Sequence, residues 1–324
     1  MSSVIKGMIN KLVNRLKTGF INVAPKTTRV SSTAQISSAA KLIRILVLAA
    51  GCLLTPALTL ASTVTHHSFT STTLERDYHY NLYIPDAYEG SQASFPVLYL
   101  LHGAAGDENS WVDAGNLQTT VDALITGNKI PPMLIVIPAD PNFWWADSHV
   151  ESAQSALITE LIPHVDDNYR TIDARDGRLI AGYSAGGFGT VNAALAFPEL
   201  FVAAAALSPA VYHPVPPASS SATRIELFQS NGEFDAELWR SLNWVSVFDA
   251  YQEKGVVVPF YINSGDHDRF DIAYHAAAFY QALREYQPDR VELRIFDGDH
   301  DFAAWGGSLG DALQYLAGFV TTAR

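Results

Sequence analysis

The chain has 324 residues, 48% of them hydrophobic and 17% charged, proportions that build a substantial core and exclude a disordered protein. Eight of its 21 Lys and Arg residues lie within the first 44 positions and the first acid is Glu75, which leaves 13 bases against 33 acids in the remainder. A body so acidic is repelled by phosphate backbones, so nucleic acid is excluded as a partner.

The basic leader runs into an apolar stretch, Ile45 to Leu60, preceded by Lys41 and Arg44 and followed by Ala61-Ser62. A positive region, a hydrophobic region and a small-residue exit, in that order, predict a secretory signal peptide cleaved near Ala61. The stretch contains Pro56 and is short for a stable membrane span. The protein is therefore expected to be secreted or periplasmic, with residues 1–61 as leader and residues 62–324 as a single domain. Two rivals stand beside this reading. Leu48-Ala49-Ala50-Gly51-Cys52 resembles a lipoprotein cleavage site, which would anchor the protein through a lipid on Cys52, and an organellar transit peptide would also be basic and Ser-rich. Cys52 is the only cysteine, so the body has neither disulfide nor thiolate chemistry.

From Ser62 onward, His67–Thr72 and His79–Ile84 alternate as antiparallel strands do. Pro96–Leu101 is a continuous apolar run, the mark of a strand buried on both faces. Asn116–Gly127 predicts a helix, Met133–Pro138 a strand and Glu151–Tyr169 a helix with one apolar side. Arg178–Tyr183 and Phe201–Leu207 predict strands, and the Pro- and Ser-rich stretch from Ala210 to Ala222 a loop. Val257–Asn263, Asp271–Tyr286, Val291–Phe296 and Gly310–Thr321 then read strand, helix, strand, helix. Asp271 is expected to cap its helix. The alternation specifies an α/β fold: a mostly parallel central sheet with helices on both faces and an antiparallel N-terminal edge. Sites in such sheets form beyond the C-terminal strand ends, where the polar motifs fall.

The central motif is Gly182-Tyr183-Ser184-Ala185-Gly186, between a buried strand and a helical pattern. G-x-S-x-G in that setting is a sharp turn that lifts a serine clear of the sheet, with glycines where the turn has no room for side chains. Ser184 is thus the candidate nucleophile. It needs a base within hydrogen-bond reach, and of ten histidines His300, just past the last strand, suits the chain order of this fold, with His267 as its competitor. The acid that orients the base is expected after the strand at 257–263, as Asp268 or, second, Asp266. Oxyanion donors are expected from the backbone N–H groups of Ala185 and Ala104. Because the base must be neutral, activity is expected to rise through the histidine range, roughly pH 6 to 7. Trp111, Trp144, Trp145 and Tyr183 are the candidates for substrate contact, as rings lining a groove for a sugar or phenolic acyl group or simply as packing.

Leu100-Leu101-His102-Gly103 with Ser110-Trp111, Glu160-Leu161-Ile162-Pro163, Ala181–Gly187, and Gly298-Asp299-His300-Asp301-Phe302 with Trp305 together resemble the esterase D-like esterase family. That group takes in feruloyl esterases, acetyl xylan esterase-like enzymes, S-formylglutathione hydrolases and mycolyltransferases. The resemblance implies an α/β-hydrolase fold, a triad at Ser184, Asp268 and His300, oxyanion donors at Ala104 and Ala185, and no cofactor or metal. Ala185 stands where many relatives carry Met, a change a backbone donor tolerates. The expected activity is hydrolysis of a small-molecule or saccharide ester through an acyl-enzyme, the acyl group carbohydrate-linked or of the feruloyl type. The alternatives are acyl transfer of the mycolyltransferase kind, an S-formylglutathione hydrolase-like thioesterase and, most remotely, a non-catalytic carbohydrate-binding relative.

Overall fold

The computed structural model describes residues 61–140 and 144–322; the signal-peptide and Cys52 readings lie outside them. The elements follow in the order β1 (Thr63–Ser71), β2 (Arg76–Ile84), β3 (Val97–Leu101), α1 (Ser110–Asp113), α2 (Leu117–Thr126) and β4 (Leu134–Pro138). Next come α3 (Ala153–Ala156), a π-helical turn (Leu157–Leu161), α4 (Ile162–Asn168), β5 (Arg178–Tyr183), α5 (Ala185–Ala196) and β6 (Ala203–Leu207). A short hairpin, β7 (Gln229–Ser230) and β8 (Glu233–Phe234), leads into α6 (Ala236–Ser241) and α7 (Phe248–Lys254). The chain closes with β9 (Phe260–Gly265), α8 (Ile272–Tyr286), β10 (Val291–Phe296) and α9 (Phe302–Ala317).

Eight strands form one sheet in the order β1-β2-β4-β3-β5-β6-β9-β10. The first two pair antiparallel from Thr63↔Ile84 to Ser71↔Arg76, β2 pairs antiparallel with β4, and every later neighbour is parallel. The continuous apolar runs have a direct cause. Val97, Tyr99 and Leu101 enter one core with Leu161, Phe188 and Phe279, while Leu98 and Leu100 enter the other with Trp111, Val121 and Leu313. A strand with helices on both faces has no polar side to show. The β1–β2 turn is tied to the helix behind it by Glu160, whose carboxylate accepts from the Ser71 hydroxyl, from Thr72 N at 3.0 Å and from Thr73 N at 2.9 Å. Partial burial raises that carboxyl, but donors from Ser71, Thr72 and Thr73 outweigh it and hold the group at about 2.

Two local expectations are corrected. The last helix begins at Phe302, not Gly310. The Gly306-Gly307 pair lowers helix propensity, but Ala304, Trp305, Leu309, Ala312 and Leu316 bury one face and Asp301 caps the first turn by accepting from Ala304 N at 3.1 Å. Tertiary burial overrides propensity here. Asp271 does hold the N-cap position of α8, but in the left-handed region at φ 57° and without a side-chain capping bond. Asp268 organises that turn instead, its carbonyl accepting from Asp271 N and its Oδ1 from Phe270 N, each at 3.0 Å.

Candidate active site

Ser184 sits between β5 and α5 at φ 55° and ψ −117°, a conformation that costs a non-glycine residue energy and persists only where its surroundings hold it. Here they do. Its N–H donates to the Leu207 carbonyl at 2.9 Å, and its own carbonyl accepts from Phe188 N and Ala210 N, both at 3.0 Å. The flanking glycines are required by contact. A Cβ on Gly182 would stand 2.5 Å from the Gly186 carbonyl oxygen, and one on Gly186 would stand 2.5 Å from that of His102.

Two loops at the same end of the sheet bring the partners. His300 Nε2 lies 2.9 Å from Ser184 Oγ, and His300 Nδ1 lies 2.6 Å from Asp268 Oδ2. Both His300 and Asp268 are almost fully buried. The β9–α8 and β10–α9 loops are bound to each other by Asp266 N to Phe296 O at 2.9 Å and His267 N to Gly298 O at 3.0 Å. The imidazole ring meets Phe270 and Trp305 edge to face, at 4.8 and 4.9 Å. Arg269 Nη1 donates to the His300 carbonyl at 3.1 Å, and Asp299 accepts from His300 N at 2.7 Å. Asp266 points elsewhere: its Oδ1 accepts from Gly298 N at 3.2 Å and lies 3.3 Å from the ring of exposed His267. The aspartate brought to the imidazole is therefore Asp268. Asp266, His267 and Asp297 do place one ligand atom each within 4.8 Å of one another, but all three are exposed, with His267 Nδ1 3.3 Å from Asp266 Oδ1 and 3.4 Å from Asp297 Oδ1.

Ala185 opens α5, and Ala104 follows His102-Gly103 beyond β3. Neither N–H donates to a backbone acceptor in a turn or cap among the described residues, and first-turn donors of a helix have no acceptor within it. The loop that carries Ala104 is fixed from behind. His102 is fully buried, its Nδ1 2.8 Å from the Gly103 carbonyl and its Nε2 accepting from Asp140 N at 3.0 Å. Burial drives the imidazole down to about 4, which keeps it neutral and in the one tautomer these two bonds allow.

A cleft of about 340 Å³ opens over Ser184, lined by Ala104, Trp144, Tyr183, Tyr212, Phe270, His300, Phe302 and Trp305, with Ser219–Ser221, Arg224 and Arg269 also on its walls. Trp144 and Tyr183 are on its wall. Trp111 and Trp145 are not. Both are buried, Trp111 Nε1 donating to the Leu101 carbonyl at 3.1 Å and Trp145 Nε1 to the His102 carbonyl at 2.9 Å. They hold the backbone on which Ala104 stands instead of lining a groove. Residues that the motifs leave out are Tyr212, Phe270, Arg224 and Arg269. Phe302 and Trp305, three residues apart on the helix that follows His300, belong to the motif already quoted; Tyr212 and Arg224 come from an irregular stretch that offers no signal.

With the geometry in place, comparison with known proteins finds a family. The model described as "Putative esterase" matches residues 71–316. Among curated proteins, the chain is 36% identical over 143 residues to an endo-1,4-beta-xylanase/feruloyl esterase of Xylanibacter ruminicola, covering 41% of this chain and 20% of that one. It is 33% identical over 138 residues to esterase Rv1288 of Mycobacterium tuberculosis, covering 40% and 28%. The chain thus spans less than a third of the length of either relative. Among solved structures, a ferulic acid esterase superposes with a TM-score of 0.67 at 25% identity over 80% of this chain and 99% of that one. An S-formylglutathione hydrolase from Agrobacterium tumefaciens superposes with a TM-score of 0.65 at 21% identity over 81% and 97%, a likeness of fold.

Proposed function

The chain belongs to the "Putative esterase" family, and on that footing we propose that it is a serine carboxylesterase of the feruloyl type, with Ser184, His300 and Asp268 as its triad. The observation that carries this reading is the relay from Ser184 Oγ to His300 Nε2 at 2.9 Å and from His300 Nδ1 to Asp268 Oδ2 at 2.6 Å. Ser184 Oγ attacks the ester carbonyl as His300 Nε2 takes its proton. Asp268 keeps the Nδ1–H tautomer and stabilises the imidazolium that forms. The N–H groups of Ala104 and Ala185 receive the developing oxyanion. His300 then returns the proton to the leaving alcohol, and water, activated by the same ring, releases the acid from Ser184. The aromatic lining of the cleft suits a planar acyl group, and the named activities of the ferulic acid esterase and xylanase/feruloyl esterase relatives support that substrate.

Residues 62–324 are read as the catalytic domain and residues 1–61 as a leader removed on secretion. None of the helices among the described residues is long and apolar enough to cross a membrane. A fluorophosphonate probe is expected to label the protein at one equivalent on Ser184 and to leave Ser184→Ala unlabelled. Methyl ferulate is expected to be hydrolysed by the wild type and not by that variant. Labelling elsewhere, or turnover that survives in Ser184→Ala, would sink the assignment.

A further inference from the structure

Among the described residues that line the cleft there is no carboxylate, but there are two guanidinium groups, Arg224 and Arg269. This occurs in a chain whose acids outnumber its bases by 33 to 21. Arg269 is already occupied: it donates to the His300 carbonyl, lies 3.6 Å from Asp299 Oδ1 and rests 4.9 Å over the Phe270 ring. Arg224 is held differently. Its Nη1 donates to the Ala218 carbonyl at 3.1 Å and its Nη2 to the Ser219 carbonyl at 3.3 Å. Those two carbonyls fix the guanidinium in place without neutralising it, since among the described residues it has no ion-pair partner. A guanidinium carries five N–H donors, so three are left once both carbonyls are served. Ser219 and Ser221, each with a hydroxyl, also line the cleft.

We infer that Arg224 is a specificity-determining residue that receives a carboxylate carried by the ester substrate away from its scissile bond, with the hydroxyls of Ser219 and Ser221 as further donors. The inference rests on the esterase reading of Ser184 and adds to it a preference for esters that also carry a carboxylate. A planar, permanently charged fork matches a carboxylate in two hydrogen bonds, and a charged pair is stronger than the neutral bonds it replaces. The acidic body opposes the approach of an anion at long range, so the preference arises from this local contact.

The test compares esters that differ only in a terminal carboxylate or its primary amide, which has the same shape and no charge. One pair bears the group on the acyl half, as a half-ester of a dicarboxylic acid, and a second bears it on the alcohol half, as the ester of a hydroxy acid. The wild type is expected to favour the carboxylate member of one pair by about 3- to 10-fold in kcat/KM, carried by KM. Which pair shows it identifies the half of the substrate that reaches Arg224. Arg224→Gln is expected to bring that ratio to one, and Arg224→Lys to keep part of it. Equal rates for carboxylate and amide in both pairs would overturn the inference and leave the esterase reading standing. So would an unchanged ratio in Arg224→Gln, because the side chain then only anchors the 218–219 backbone. Absence of turnover on every ester would overturn the esterase reading itself.

Discussion

Asp266 and Asp268 follow the same strand two residues apart, yet only one can serve the imidazole. Asp268 Oδ2 meets His300 while its Oδ1 takes Phe270 N, so the carboxylate is oriented from both sides. Asp266 is spent on Gly298 N and on His267 in solvent. Asp268→Asn keeps shape and acceptor but presents the imidazole with the wrong tautomer, and kcat should fall by about 10⁴-fold with folding retained. Asp266→Asn should leave kcat within about twofold, as surface changes away from special contacts do. Steady-state kinetics on one ester, with circular dichroism as a folding control, decides it; equal losses would mean that the pairing is wrong. Motif and chain order single out Ser184 and His300 in the sequence, and the fold places the two side chains 2.9 Å apart. The choice between two aspartates, and the inward turn of Trp111 and Trp145, depend on side-chain directions set by the folded turn, which no local pattern records.

Elements were legible where burial imposes a period. The central parallel strands announce themselves as apolar runs, the edge strand Val291–Phe296 as an alternation through Glu292 and Arg294, and both it and Arg178–Tyr183 lie where the pattern puts them. The start of α9 was not, because Gly306-Gly307 reads as a turn while the packing that overrides it lies elsewhere in the chain. Glycines in the two helices can be told apart by what surrounds them. Gly186→Ala drives a methyl to 2.5 Å from His102 O and 2.6 Å from Leu101 O, both on the backbone of the central strand and its following loop. That substitution should cost about 1–3 kcal/mol and abolish activity, since the displaced loop carries Ala104. Gly307→Ala meets nothing within 4 Å and should stabilise by roughly 0.5–1 kcal/mol through helix propensity. Thermal melts of the two variants should move in opposite directions. A stable, active Gly186→Ala would mean that the elbow is looser than its contacts describe.

At the scale of the molecule, the class of fold was legible and the strand order was not. Alternating strands and helices specify a parallel sheet, whereas the placing of β4 between β2 and β3 follows from how each connection packs back on the sheet. The two cores leave one buried histidine at the end of β3 whose protonation bears on the whole fold. His102 titrates near 6.5 when unfolded and at about 4 when folded, because burial penalises its charged form. Between those values the unfolded chain binds a proton that the folded chain does not, so stability is full above pH 6.5, falls as the pH drops toward 4, and levels off below. With the ring wholly buried, the loss should reach about 3 kcal/mol. Acidification also removes negative charge from an acidic body and relieves its self-repulsion, which works the other way. The difference between wild type and His102→Asn separates the two effects, because the variant keeps the body charge and lacks the titrating ring. Urea midpoints at pH 7 and pH 4.5 should converge for the two proteins on acidification, with the wild type losing more. Parallel losses would show that protonation of His102 plays no part in acid unfolding, and that the ring is not held neutral by its burial.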